Sequence, residues 1–441
     1  MPNARPPTGA PDPAAVARAL EAAQAGRLEQ AEKIFRRLAR NHPDRIELHL
    51  SLVAIARDAG RLEDALDFLA SALALEPDRV DLHFQRGALL FQLGRLDEAV
   101  CAYQRAAALA PTLAEAHDNL AITLWRANRV EEASASFARY VELAPGSAQG
   151  QMNLAGTLHE LGRLEEAIAA YTRALTIDPE HVDAHGSLGL ALHQIGRNGG
   201  GERIARIAGE WRRRFPSNPW ADHLGAALSG ENAPDRASDD YLRGEFDACA
   251  EGFEKRLDEL GYCAPRLLME ALSHELAPPA GLLQVIDIGC GTGWGGRHLR
   301  PFASRLVGLD LSPRMLDLAR ARNVYDELVT EEIGSYLGAH EATFDLVFAA
   351  DVFCYAGRLD SVFAAVAGSL RAGGTFGFTV EEDLVGEEFR LNASGRYSHT
   401  SAYLRRIVGG AGLTILGLFN GQGRSEGTAK GDFTYLLARK A

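Results

Sequence analysis

The apolar positions along the chain follow two regimes. From residue 12 to about 215 they recur at helical spacing in short stretches, each closed by a turn. Gly26-Arg27-Leu28 returns as Gly60-Arg61-Leu62, Gly94-Arg95-Leu96, Asn128-Arg129-Val130 and Gly162-Arg163-Leu164, each step spanning 34 residues. Ala31, Ala65, Ala99, Ala133 and Ala167 keep that step, as do Pro43, Pro77, Pro111, Pro145 and Pro179. From Leu282 the pattern becomes short continuous apolar runs alternating with helical stretches. LLQVIDIG, RLVGLDLS, ELVTEE, FDLVFAAD and TFGFTVE read as strands, with LTILGLF and FTYLLARK as an antiparallel pair near the C-terminus. Such alternation with short loops implies an open, mainly parallel sheet covered on both faces.

In each 34-residue unit the glycine ends one helix, where a residue free to take φ > 0 closes the turn. The alanine five places on is small because the two helices of a unit cross closely there. Phe35, Leu69, Tyr103, Phe137 and Tyr171 follow one turn later on the same face. The proline stops the second helix. No unit buries its apolar face alone, so the units must stack. This period and punctuation resemble tetratricopeptide repeats, which implies an all-α superhelix. Four units are regular (46–79, 80–113, 114–147, 148–181) and an irregular one precedes them at 12–45. A sixth, 182–215, reads as a degraded cap, because Gly199-Gly200-Gly201 stands where a helix should start.

Superhelices of this family bind peptides or proteins along the groove lined by their first helices. There His49, His83, His117 and His185 share one register, with Gln151 in the gap. Two residues on come Ser51, Gln85, Asn119, Asn153 and Ser187. Amides on successive turns can clamp an extended peptide backbone, donating and accepting together. Equally, such polar residues can solvate a groove while the histidines pack between helices. Either way they share no metal ion, since stacked helices set them about 10 Å apart.

The second half carries the candidate chemistry. The first strand runs into GCGTGWGG (Gly289–Gly296), and Asp287 lies inside the strand, giving Asp-x-Gly-x-Gly-x-Gly. The GxGxxG at Gly291–Gly296, taken alone, would suggest a nicotinamide dinucleotide. The surroundings decide otherwise. Asp287–Gly293 resembles motif I of class I S-adenosylmethionine-dependent methyltransferases. Asp310–Leu316 resembles their second motif and Phe344–Asp351 their fourth, and Leu370–Gly374 resembles Leu-Lys-Pro-Gly-Gly with Ala372 replacing the proline. The fold implied is an α/β, Rossmann-like domain with a mostly parallel seven-stranded sheet, following the all-α repeats.

The resemblance also assigns residues. Gly289, Gly291 and Gly293 let the backbone pass close to the methionine moiety of S-adenosylmethionine, with Cys290 in the same turn as a small filler. Asp287 orders that loop and faces the cofactor's ammonium group. Asp310 offers two acceptor oxygens to the ribose hydroxyls. Leu311 and Met315 flank the adenine, though plain core packing explains them as well. Glu331 or Glu332 stands where the family places an acid near the adenine amino group, and Glu332 is preferred. Ala350 and Asp351 end the fourth strand beside the methionine carboxyl and the acceptor. A general base, where one is needed, comes from Asp351, Tyr355 or His399. The helical stretch Asp239–Leu268 is expected to fold over the cofactor as a lid, with Tyr241, Phe246 and Phe253 available to line it.

Composition narrows the picture. With 46 Lys plus Arg against 59 Asp plus Glu the formal charge is −13, which argues against sequence-independent nucleic-acid binding. The five cysteines are scattered without a CxxC pair, so neither a disulfide framework nor a structural zinc site is expected. No run of about 18 apolar residues suggests a membrane span, and the expected location is the cytoplasm. Residues 1–11 read as a disordered leader, 12–228 as the repeat domain with capping helices, 229–238 as a linker rich in Gly, Pro, Asn and Ser, and 239–441 as the methyltransferase domain. The layout is similar to a group of bacterial predicted methyltransferases with N-terminal repeats, a resemblance that brings no known acceptor. It implies transfer of a methyl group, with the repeats recruiting a protein substrate or partner. The alternative is a repeat scaffold whose methyltransferase-like domain only senses S-adenosylmethionine.

Overall fold

The structure, a computed structural model, describes residues 10–197, 201–384, 386, 388–426 and 429–441. Most of the leader at 1–11 and Gly199 and Gly200 of the glycine run lie outside the described residues. Two compact units divide at Ala184/His185.

In the first unit ten helices pair as α1 (Pro13–Gln24) with α2 (Leu28–Asn41), α3 (Ile46–Asp58) with α4 (Leu62–Leu75), α5 (Val80–Gln92) with α6 (Leu96–Leu109), α7 (Ala114–Arg126) with α8 (Val130–Leu143), and α9 (Ala148–Glu160) with α10 (Leu164–Ile177). Gly26, Gly60, Gly94 and Gly162 all take φ near +72°, and Asn128 takes +59° in the fourth copy. That left-handed residue lets the next amide reach back to the helix it leaves, as in Arg61 N–H to the Ala56 carbonyl at 2.8 Å. Ala31, Ala65, Ala99, Ala133 and Ala167 are fully buried at the helix crossings, and Phe35, Leu69, Tyr103, Phe137 and Tyr171 are buried one turn on. Each second helix ends two residues before its proline, as the steric bias of the pre-proline residue requires.

The second unit opens with α11 (Val182–Arg197), most of which belongs to it, and continues with α12 (Gly201–Arg214), α13 (Pro219–Ser229), α14 (Asp239–Cys249), α15 (Phe253–Glu259) and α16 (Ala264–Ser273). The sheet follows, as β1 (Leu283–Ile288), β2 (Ala303–Asp310), β3 (Glu327–Thr330), β4 (Phe344–Ala349) and β5 (Leu370–Glu382). Helices α17 (Gly296–Leu299), α18 (Pro313–Ala321), α19 (Ile333–Gly338) and α20 (Asp360–Ser369) connect these strands. Then come β6 (Phe389–Leu391), β7 (Tyr397–His399), α21 (Ser401–Gly410), β8 (Leu413–Glu426) and β9 (Ala429–Lys440). Strands β3-β2-β1-β4-β5 are parallel, β9 joins β5 antiparallel, and β8 joins β9 antiparallel. These are the seven strands expected. Two more, β6 and β7, extend the end of β5, and at three residues each they are too short to show a periodic pattern. Both faces of the sheet are buried, with Ile286, Val307, Val347 and Phe376 in one core and Val285, Leu306, Leu346 and Phe348 in the other. Burial on both sides is why the strands read as continuous apolar runs rather than alternating ones.

The stretch whose composition suggests a linker is pinned within this second unit. The Pro234 carbonyl accepts from the Tyr397 hydroxyl. The Asp235 carbonyl accepts from the amides of Gly357 and Arg358, and the Ala237 amide donates to the Tyr355 carbonyl at 2.9 Å. Upstream, His223 Nε2 donates to the Gly395 carbonyl at 2.8 Å, while Tyr241 packs against Trp220 and His223. Helices α12 and α13, which the expected boundary at 228 places with the repeats, stand in the second unit. Among the described residues no helix is long and apolar enough to cross a membrane.

Candidate active site

A cavity of about 800 Å³ lies over the C-terminal ends of β1, β2 and β4, covered by α14 and α15. That is the side on which open parallel sheets hold their ligands. Gly289, Gly291 and Gly293 follow β1 with φ of +67°, +54° and +83°. A Cβ on Gly291 would meet nothing within 4 Å, so here the backbone opens to the cavity. On Gly289 a Cβ would lie 2.4 Å from Val352.

Asp310, at the end of β2, joins two turns. Its Oδ2 accepts from the Gly291 amide and its Oδ1 from the Ser312 amide, both at 2.9 Å. Each oxygen keeps a lone pair for another donor. Burial raises the pKa of this carboxyl and the Asp247 charge adds to the rise, while the Ser312, Gly291 and Leu311 amides oppose it. Asp287 also reaches the cavity, and its Oδ2 accepts from the Tyr325 hydroxyl at 2.7 Å. Burial, aided by the Asp310 charge and opposed by the Tyr325 hydroxyl, pushes its pKa up to about 7. Cys290 lines the same turn, and burial holds its thiol protonated, in keeping with a filler.

Leu311, Met315, Glu331 and Glu332 all line the cavity. The Glu332 carboxylate is engaged as the cap of α19, accepting from the Ser335 amide at 2.8 Å. Phe246 and Phe253 of the lid line the cavity, whereas Tyr241 lies outside its lining, against α13. Two polar latches hold the lid. Asp247 of α14 accepts from the Ser312 hydroxyl and the Arg314 amide. Glu254, at the start of α15, pairs with Arg322, whose Nε donates to the Thr292 carbonyl at 2.7 Å.

The far wall combines Ala350, Asp351, Tyr355, Arg236 and Arg396. Asp351 takes φ +61°, an uncommon value for a non-glycine residue, and its amide donates to Thr379 Oγ1 at 2.8 Å. Arg396 is buried between Asp351 and Glu381, pairing with both, and donates to the Tyr355 hydroxyl at 2.9 Å. Burial pushes the Tyr355 phenol well above the usual tyrosine range, so it stays protonated at neutral pH and suits a donor rather than a base. His399 is not in the cavity lining. It is fully buried, its Nε2 donates to the Gly357 carbonyl at 3.1 Å, and its ring stacks on Tyr403. Burial depresses its pKa to about 4, and this enclosure gives it a structural part in place of the general-base role expected from sequence.

Arg396, Tyr325, Arg322 and Asp247 escape the sequence reading because each has a partner 30 to 68 residues away. One signal was available. Gly308 interrupts an apolar strand interior, which marks a close approach, and a Cβ there would lie 2.9 Å from the Tyr325 ring.

In the repeat unit the histidine register is committed locally. Nε2 of His49, His83 and His117 lies 3.1, 2.7 and 3.2 Å from the carbonyls of Pro43, Pro77 and Pro111. A carbonyl only accepts, so each ring donates there. Asn119 donates to the Glu115 carbonyl of its own helix, and Asn153 accepts from Gln149, both side chains being partly exposed. His185 is fully buried and accepts from Trp211 Nε1 at 2.9 Å within the second unit.

Comparison with known proteins agrees with both halves. Residues 286–378 match a methyltransferase domain family, and residues 56–100, 87–128 and 119–182 match tetratricopeptide repeat families. Residues 56–182 thus carry tetratricopeptide repeats and residues 286–378 a methyltransferase domain. It is 36% identical over 104 residues to methyltransferase-like protein 27 of Homo sapiens, covering 23% of this chain and 42% of that protein. It is 31% identical over 157 residues to the ubiquinone biosynthesis O-methyltransferase of Thiobacillus denitrificans, covering 31% of this chain and 66% of that one. The chain thus spans less than two thirds of either relative's length. A crystal structure of an S-adenosylmethionine-dependent methyltransferase from Mesorhizobium loti aligns at 24% identity with a TM-score of 0.32, covering 39% of this chain and 96% of that one.

Proposed function

We propose that the protein is an S-adenosylmethionine-dependent methyltransferase acting by direct displacement. The observation that carries this reading is the Asp310 carboxylate, fixed by the Gly291 and Ser312 amides at the edge of a cavity of about 800 Å³. The donor set suits the cofactor: Asp310 has lone pairs for ribose hydroxyls, Asp287 an acid for an ammonium group, and Gly291 an unobstructed backbone. The buried Thr292 hydroxyl, which has no hydrogen-bond partner, adds a polar atom in the same turn. When bound, the cofactor supplies an activated sulfonium methyl.

The chain's own residues then align the acceptor and exclude water. Phe246 and Tyr355, edge to face at 5.4 Å, form an aromatic wall at the mouth of the far half. Tyr355 accepts from Arg396 and keeps its own proton to donate to the acceptor. Asp351, held by Arg396, is the carboxylate beside that wall and takes the acceptor's proton where one must be lost. The repeats recruit a protein, either the acceptor itself or a carrier of it, through the face bearing Asn119 and Asn153.

Lysate from a deletion strain, incubated with the enzyme and methyl-labelled cofactor and then separated into protein and small molecules, tests this reading. Label in a discrete protein or metabolite is expected. Cofactor binding without label in any fraction would instead favour a sensor.

A further inference from the structure

Resting on the cofactor reading above, we propose that Tyr325 is a positioning residue: its hydroxyl holds the Asp287 carboxylate behind the glycine turn, and the neighbouring glycines are small in order to seat its ring. Three clearances support this. A Cβ on Gly293, Gly296 or Gly308 would lie 3.0, 2.6 or 2.9 Å from the Tyr325 side chain, below ordinary contact distance. Of the turn's glycines, Gly291 is the one with open space before it. Two of the turn's five glycines, Gly293 and Gly296, together with Gly308 of β2, where Leu328 also crowds in at 2.7 Å, therefore accommodate a tyrosine of the same chain, contributed by the loop between α18 and β3.

Position and chemistry agree. Asp287 lines the cavity and Tyr325 stands behind it, outside the lining, with its oxygen 2.7 Å from Asp287 Oδ2. Three residues earlier Arg322 holds the Thr292 carbonyl, so one short segment fixes the turn at two points. The groups that face Asp287 are Tyr325, the Asp310 carboxylate of β2 and the Cys290 thiol of the turn. Burial and Asp310 both disfavour the Asp287 charge, and the Tyr325 hydroxyl favours it. A hydrogen bond to the ionised form lowers a carboxyl pKa, and its removal lets the proton stay on to higher pH. The carboxylate that faces the cofactor's ammonium group is thereby kept available near neutrality.

Tyr325→Phe keeps the ring and removes the hydroxyl. Calorimetric titration of the full chain with S-adenosylmethionine between pH 6 and 9 should show a Kd raised about fivefold at pH 7, closing towards wild type at pH 9. Asp287→Asn should weaken binding at every pH, and adding Tyr325→Phe to it should change nothing further. Without cofactor, the Asp287 carboxyl resonance should titrate about one pH unit higher in Tyr325→Phe. An unmoved Asp287 midpoint would overturn the proposal, as would a Kd penalty equal at all pH values, which would mean general damage to the site. Wild-type protein that binds no S-adenosylmethionine while the midpoint moves would refute the cofactor reading and leave the tyrosine–aspartate lock in place.

Discussion

In the repeats, His49, His83 and His117 each reach a carbonyl six residues back, and Arg95, Arg129 and Arg163 each pair with an acid three residues on. In the second unit Tyr397 reaches Pro234 across 163 residues, His223 reaches Gly395 across 172, and Arg396 reaches Asp351 across 45. These polar groups find partners within six residues along the chain, while pairs such as Arg61–Glu32 and Trp125–Glu160 join one repeat to the next. Groups satisfied across the chain bind many segments into one site, so a single loss is felt throughout.

The largest contrast should come from the arginines. Arg396→Met strands Asp351 and Glu381 with little exposure, and should destabilise the second unit by about 3–5 kcal/mol. Arg163→Ala, an exposed pair, should leave urea unfolding unchanged within error. Equal effects at the two sites would break the comparison.

Next comes ligand binding. Asp310→Ala should raise the Kd for S-adenosylmethionine by roughly one to two orders of magnitude, because two sets of charge-assisted hydrogen bonds are lost. Asn119→Ala combined with Asn153→Ala should leave that Kd untouched, and should raise KM for a protein acceptor with kcat little changed. Calorimetry and steady-state kinetics decide both.

Acidity offers a smaller test. His399 has its folded pKa depressed to about 4, so unfolding takes up a proton below the ordinary value and its contribution is lost as pH falls from about 6.5 to 4. Asp287 has its folded pKa raised to about 7, so unfolding releases a proton and stability is lost as pH rises from about 4 to 7. The two slopes oppose each other at roughly 1 kcal/mol per pH unit. Hydrogen exchange of β4 and β5 amides should therefore vary little between pH 4.5 and 6.5 on account of these two groups. His399→Gln should make stability fall with pH across that window, and Asp287→Asn should make it rise.

The smallest effect belongs to the groove. His83→Ala removes one part-exposed hydrogen bond to the Pro77 carbonyl and should cost about 0.5 kcal/mol in urea unfolding. A loss of several kcal/mol would mean that the histidine register is core.

The same difference of distance explains what the sequence makes legible. Gly60, Ala65 and Leu69 announce their roles because the period repeats their surroundings five times. Asp287, Gly291 and Asp310 are legible because a short motif holds each in register with a strand end. Tyr325 and Arg396 have no such register, since each takes its meaning from a partner that only the folded sheet brings close. Residues 234–237 mislead for a related reason: a loop pinned through its backbone has the same composition as a free tether, because backbone hydrogen bonds leave no trace in residue type. His399 misleads in the opposite sense, since a histidine in a polar run gives no sign that the fold will enclose it.

The anchoring of 234–237 to 355–358 bears on how such a protein diversifies. Arg236 and Ala237 line the cavity from chain that precedes the first strand, while the glycine turn and Asp310 lie within the sheet's own connections. Two halves of one chamber are thus encoded in separate stretches of the gene. An engineer could recombine the stretch from α13 through α15 between related chains, altering one wall of the chamber while the glycine turn and Asp310 are inherited intact.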